Sequence, residues 1–191
     1  MLYLYYRWDY QTMTKEEILA KAELLIMQQN SYDLDLGVLA RHCGIGKPKL
    51  YFLFKNKGNL LYSLMVYICE KEKNNINNKL ANTTYQEKLN CFFEEYFHLL
   101  EKFPYKTIQN FLKQSWESKK EISVFNQWIE KTYHDLITEK HKASTLFSVE
   151  ETLVLEKMLS VQMDYYYTNF WEISSTGKAK LWKRQIIRCF S

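Results

Sequence analysis

Apolar residues recur at helical spacing along most of the chain. Ile18, Ala22, Leu25 and Ile26 share one face, with Thr14-x-x-Glu17 ahead of them as a capping box and Met13 and Ile18 placed as a hydrophobic staple. This predicts a first helix over residues 14–29. Asp35 is placed to cap a short second helix through Leu36, Leu39, Ala40 and Cys43, which Gly44 ends. A third short helix starts near Gly46, tolerates Pro48 in its first turn, and carries Leu50, Tyr51 and Phe54. Asn56 can cap a fourth, with Leu60, Leu61, Leu64, Met65 and Ile68 on its buried side. The polar run Lys71 to Asn78 then reads as the place where that helix leaves apolar cover.

Helical patterning continues beyond it. Thr84-x-x-Glu87 opens a stripe of Leu89, Phe92, Phe93, Tyr96, Leu100 and Phe103, with Pro104 as its stop. A shorter helix is expected through Ile108, Phe111 and Leu112 to Trp116, and Ser118-x-x-Glu121 opens another with Phe125, Trp128, Ile129 and Leu136. Ser148-x-x-Glu151 opens a long helix to Ile173, and a last one, over 178–190, carries Ala179, Trp182, Ile186, Cys189 and Phe190. With about nine helices and no strand pattern, the expected class is all-α. Only 5 Gly and 2 Pro in 191 residues fit that class. Residues 1–12 show no clear period and the capping signal begins at Met13, so they read as either an extra N-terminal arm or an extension upstream of a start at Met13, and their removal is expected to leave the fold and DNA binding largely intact.

Apolar residues at 47% and charged residues at 25% describe a globular protein with a core. The longest near-apolar run, Leu60 to Cys69, is too short to cross a bilayer, and no signal-peptide pattern opens the chain, so a cytoplasmic protein with no membrane partner is expected. Cys43, Cys69, Cys91 and Cys189 are widely spaced and read as small buried hydrophobes of a reduced compartment, not as a zinc site.

The charge distribution is less ordinary. Between Asp35 and Glu70 there is no acidic residue, while Arg41, Lys47, Lys49, Lys55 and Lys57 all fall there. Those five cations exceed the +4 of the whole chain, so the remainder is slightly acidic. A one-sign patch attracts a polyanion. Four of the five glycines, Gly37, Gly44, Gly46 and Gly58, lie in the same stretch.

Residues 35–54 are therefore two short helices joined by a glycine turn, the pattern of a helix-turn-helix, whose second helix enters a major groove. Ala40 is small where the helices cross, Gly44 supplies the turn, and Leu50 pins the recognition helix. Lys47, Lys49 and Tyr51 are the candidate contacts from that helix, Lys47 and Lys49 to base edges or flanking phosphates. Lys55 and Lys57 are the candidate phosphate contacts behind it, and Arg41 and His42 those from the helix before it.

Residues 14–61 also resemble the DNA-binding domain of the TetR family of bacterial transcriptional regulators. The resemblance rests on LARHCGIGKPKLYFLFKNKGNLL, where Leu39-Ala40, Gly44-Ile45, Leu50-Tyr51, Phe54, Lys57 and Leu60-Leu61 fall on that family's pattern. Gly46, Pro48-Lys49 and Asp35 depart from it, standing where the family often has Ser or Thr, a Gly-Thr pair and Thr. The resemblance implies a three-helix DNA-binding domain over 1–57 and a helical ligand-binding and dimerisation domain over 58–191. It implies a non-enzymatic repressor that binds double-stranded operator DNA, dimerises through helices about 148–173 and 178–190, answers to a small-molecule effector and needs no cofactor. The aromatic content of 16% favours an apolar or aromatic effector. Phe93, Tyr96, Trp116, Trp128, Tyr165, Tyr166 and Phe170 are the candidate pocket residues.

A second reading, from another class, is a helical-bundle metal-binding protein or enzyme using Glu95-x-x-His98. A di-iron site needs a second such pair and two further carboxylates in register, which the sequence does not offer. His134 and His141 lack zincin spacing. No metal site is expected.

Overall fold

The computed structural model describes residues 13–29, 33–84, 87–103, 112–113, 115–143 and Lys157, and among these every regular element is a helix. They are α1 (Lys15–Gln29), α2 (Leu36–Cys43), α3 (Lys47–Phe54), α4 (Lys57–Ala81), α5 (Lys88–Lys102) and α6 (Ser118–Ala143). Residues 1–12, most of the short helix expected before Trp116, the helix expected over 148–173 apart from Lys157, and the one expected over 178–190 lie outside the described residues.

Local signals set most of the helix starts. At α1 the capping box closes reciprocally, the Thr14 N–H donating to Glu17 Oε2 at 2.7 Å and the Glu17 N–H to Thr14 Oγ1 at 3.2 Å. Met13 is partly buried against the same core that holds Ile18. Asn56 caps α4 by accepting from the Asn59 N–H at 2.8 Å. At α5 the box is looser than the sequence suggests. Thr84 Oγ1 bonds the Glu87 carboxylate, but regular helix begins only at Lys88.

Two apolar cores share one helix. The first joins Ile18, Ala22 and Ile26 of α1, Leu39 and Ala40 of α2, Leu50 and Phe54 of α3, and Leu60 to Cys69 of α4. The second joins Ile76 and Leu80 of α4 to Phe92, Phe93, Tyr96 and Phe97 of α5 and to Ile129, Tyr133 and Ile137 of α6. With 25 residues, α4 is about 37 Å long and runs through both. The expectation that α4 leaves cover at Lys71–Asn78 is thus corrected. Helix continues to Ala81, and Glu72, Ile76 and Leu80 are buried within the run or just past it.

Glu72 stays buried because its charge is met there. Glu23 of α1, only 3% exposed, pairs with Lys71 of α4 at 2.7 Å. Its other oxygen stands 3.1 Å from the Lys102 ammonium of α5, an ion contact without hydrogen-bond alignment. Lys102 donates in turn to Glu72. Burial pulls the Lys102 pKa down, but the bond to Glu72 and the nearness of Glu23 more than offset it and hold the ammonium above its ordinary value. Two carboxylates and two ammoniums thus form a neutral knot where α1, α4 and α5 meet.

Two stability measurements follow. Glu23→Ala leaves Lys71 and Lys102 short of a partner, and is expected to cost about 2–3 kcal/mol in denaturant unfolding. That is below the cost for a fully buried pair, because Lys71 is partly exposed and rehydrates. A double Glu23→Met/Lys102→Met variant is expected to lose less than the sum of the two single changes; a loss equal to the sum would show that the groups do not interact. Gly44→Ala places a Cβ in open space yet holds Ala at a φ of +66°. It is expected to cost about 1–2 kcal/mol, a fall in Tm of roughly 2–8 °C, with Gly44→Asn milder. An unchanged Tm would show that the turn is not left-handed.

Candidate nucleic-acid interface

The basic segment folds as two helices held at a fixed angle by their caps. Asp35 opens α2, its Oδ1 accepting from the Gly37 N–H at 2.6 Å and the Val38 N–H at 2.9 Å. The bond from Val38, then that from Gly37, holds its carboxyl below the ordinary value, with Lys47 and Arg41 adding smaller contributions. Gly44 closes α2 in the left-handed conformation, its N–H reaching Arg41 O at 3.1 Å while the Ile45 N–H reaches Ala40 O at 3.0 Å. Ala40 is buried at the crossing, as its small size predicts.

Gly46 then stands before α3, with Pro48 in the first turn. The far end of α3 is sharper. Lys55 has φ 65° and ψ −51°, and the Asn56 N–H bonds Phe54 O across it at 2.8 Å. This is a γ-turn of the strained, positive-φ kind, made by a non-glycine residue. It brings the chain from α3 into α4 within two residues, so the recognition helix is tied directly to the long helix of the body.

Leu50 and Phe54 are the buried side of α3, and Leu53 is half-buried beside them. The candidate contacts Arg41, His42, Lys47, Tyr51 and Lys55 are exposed, while Lys49 and Lys57 are half-exposed. They are not equivalent. The Lys47 stem runs across Gly37, where a Cβ would come within 2.8 Å of Lys47 Cε. The Lys57 ammonium pairs with Asp33 at 2.9 Å. Lys49 holds its ammonium 5.8 Å from the centre of the Phe52 ring. His42 contributes its carbonyl to Lys21 of α1 at 3.2 Å, which fastens the end of α2 to the head.

Reasoning from sequence passed over two participants. Asp33 lies just upstream of the acid-free stretch and faces Lys57 only in the fold. Phe52 is 80% exposed, the most exposed large apolar side chain among the described residues. The signal for it was available, since Phe52 falls opposite Leu50 and Phe54 on a helical wheel.

The candidate pocket residues divide. Phe93 and Tyr96 are buried in the second core, Tyr96 stacked on Phe92 at 6.4 Å and Phe92 edge-on to Phe93 at 5.8 Å. Trp128 is half-buried against Phe125. Trp116 is 73% exposed with Lys119 over its ring, on an open groove of about 830 Å³ with Tyr62 and Val124 that the other three do not line. Tyr165, Tyr166 and Phe170 lie outside the described residues. Of the alternative pair, His98 is exposed and Glu95 is bound by Lys79. Among the described residues no group of three or more His, Cys, Asp or Glu is placed to hold a metal ion, and no helix is long and apolar enough to cross a membrane. Cys43 and Cys69 are buried and Cys91 half-buried; burial pushes the Cys69 thiol up to about 12.

This is an all-helical protein with a helix-turn-helix head joined through one long helix to an aromatic body. No protein-family model matches the sequence, and no curated protein does. Solved structures do match it in fold. A TetR transcription regulator from Haloarcula marismortui ATCC 43049 is similar with a TM-score of 0.73 at 15% identity, over 92% of this chain and 95% of that one. The transcriptional regulator FadR from Bacillus subtilis, solved in complex with stearoyl-CoA, is similar with a TM-score of 0.59 at 19% identity, over 91% and 95%. The fatty acid degradation regulator FadR from Bacillus halodurans gives 0.55 at 18% identity, over 92% and 93%. The chain has the fold of TetR-type transcription regulators.

Proposed function

We propose that the protein is a sequence-specific, DNA-binding transcriptional regulator, a repressor released by a small apolar or aromatic ligand, and not an enzyme. The observation that carries this reading is the coincidence of charge and geometry in one place. The acid-free segment holding five cations is also the segment folded as a helix-turn-helix. Similarity to the regulators above supports it. In this reading residues 1–57 grip the operator and residues 58–191 bind the effector and dimerise through helices about 148–173 and 178–190, so that two recognition helices meet two half-sites.

Each cation has a task. Lys55 and Lys57, with Arg41 and His42, hold phosphates, and so does the Tyr51 hydroxyl; Lys47 and Lys49 supply donors to base edges and the phosphates beside them. Lys57 is held by Asp33 in the free protein and exchanges that carboxylate for a phosphate on binding. The effector acts through α4. Because α4 belongs to both cores, a ligand seated among the aromatic residues of the body favours one setting of α4 and with it one spacing of the two recognition helices. The stearoyl-CoA bound to FadR of Bacillus subtilis makes a long-chain acyl-CoA the first effector to test.

Mobility shift on the upstream DNA of the gene itself, or on duplexes selected from a random pool, tests the reading directly. Lys55→Ala is expected to weaken every duplex alike and to flatten the salt dependence by about one unit. Asp33→Asn, which frees Lys57, is expected to tighten binding about two- to fivefold at low salt. Lys49→Ala is expected to change the order of preference among operator variants instead. Equal effects of Lys55→Ala and Lys49→Ala across an operator library would refute this division.

The effector arm has its own measurement. A tenfold release from DNA requires a coupling of ~1.4 kcal/mol, well within ordinary allosteric magnitudes. Operator affinity is expected to fall on saturation with a ligand that binds the body, and the operator is expected to lower affinity for that ligand by the same factor. Unchanged operator affinity at saturation would leave a DNA-binding protein with no switch.

A further inference from the structure

The outward face of the recognition helix is apolar at its centre. Leu50 and Phe54 mark the buried direction of α3, and the residues pointing the opposite way are Pro48 and Phe52, one turn apart. Phe52 is 80% exposed, and Tyr51 beside it is 50% exposed. The lysines of the helix lie to the sides of this ridge. Lys47 runs back over Gly37, and Lys49 lies against the Phe52 ring with its ammonium 5.8 Å from the centre. A helix seated in a major groove therefore presents a phenyl ring to the base edges before it presents a cation.

Base edges differ in how they receive such a ring. Guanine, adenine and cytosine carry no methyl in the major groove and present mainly hydrogen-bonding groups there, and covering those with a phenyl ring strips them of water without giving them a partner. Thymine is the exception, because its C5 methyl is an apolar knob on the groove floor. We propose that Phe52, backed by Pro48, reads a thymine C5 methyl in each operator half-site. Lys49, held against the ring, is aimed at a guanine or phosphate beside that thymine. This assignment rests on the DNA-binding reading above and adds to it the base that the helix selects.

The methyl group can be removed without disturbing anything else. Duplexes are first selected from a random pool by the full-length protein. Each thymine of a selected site is then replaced singly by deoxyuridine, which keeps the pairing with adenine and loses only the C5 methyl. One thymine per half-site is expected to show a three- to fivefold loss of affinity, the worth of one methyl contact. In Phe52→Ala, whose fold is checked by its unchanged melting because the ring is exposed, the same replacement is expected to have no effect. Phe52→Leu is expected to retain part of it. Sites insensitive to deoxyuridine at every position would overturn the assignment while leaving DNA binding intact. So would a sensitivity that persists undiminished in Phe52→Ala. A pool from which no duplex is enriched would overturn the DNA-binding reading itself, and the assignment with it.

Discussion

A carboxylate stays charged inside an apolar core only if cations come to it, and Glu23 draws them from two other helices. Lys71 arrives from α4 and Lys102 from α5, and Lys102 is shared with Glu72. Apolar contacts alone would let α1 slide or roll on α4 at modest cost, because they have no preferred direction. Charges buried together do not allow that freedom, since a displacement of an ångström or two leaves one of them without its counter-ion. The knot thus sets where the head sits on the body. Its components sum to no net charge, so it specifies position without adding to the basic field of the head.

The rest of the head inherits that position. α1 packs on α2 and α4 through Ile18, Ala22 and Ile26, and Lys21 of α1 bonds the carbonyl of His42 at the end of α2. From there the chain has little freedom. Gly44 turns it through a left-handed residue and Lys55 through a γ-turn, with only eight residues of helix between Gly46 and Lys55. The recognition helix is thereby clamped at both ends and on its Leu50–Phe54 side. Its Pro48–Phe52 ridge, Tyr51 and the flanking lysines are left exposed or half-exposed on the other side.

What was legible in the sequence was local. Thr14 with Glu17, Asp35 with its two amides, Gly44 at the turn and Asn56 before α4 each act within a few residues, and each was placed by spacing alone. The all-helical class followed from the same periodicity. The polar run at Lys71–Asn78 misled because Glu72 is buried only by virtue of Lys102, thirty positions later on another helix. The pairing of Lys57 was not foreseen for the same reason: Asp33 reaches it through the fold, across twenty-four residues. Trp116 looked like its neighbours in the aromatic list, yet it is exposed on an open groove while Phe93 and Tyr96 are buried. Aromatic identity carries no information about which side of a helix the core will cover.

In the proposed mechanism, the two cores on α4 let even a small shift in the body be felt in the head. The Phe92–Tyr96 stack sits on α5 about two to three turns before Lys102. A rigid helix carries a shift at one of these points to the other with little loss, and at Lys102 the shift meets Glu23 of the head directly. Compensation by the solvent is small there, because Glu23 and Glu72 are both buried and water cannot replace a departing ammonium. A full separation would cost more than the ~1.4 kcal/mol that a tenfold change in binding requires. On that mechanism the head is drawn along with α5 before the ion contacts part, and α3, fixed to α4 through the two-residue corner at Lys55, is drawn along with the head.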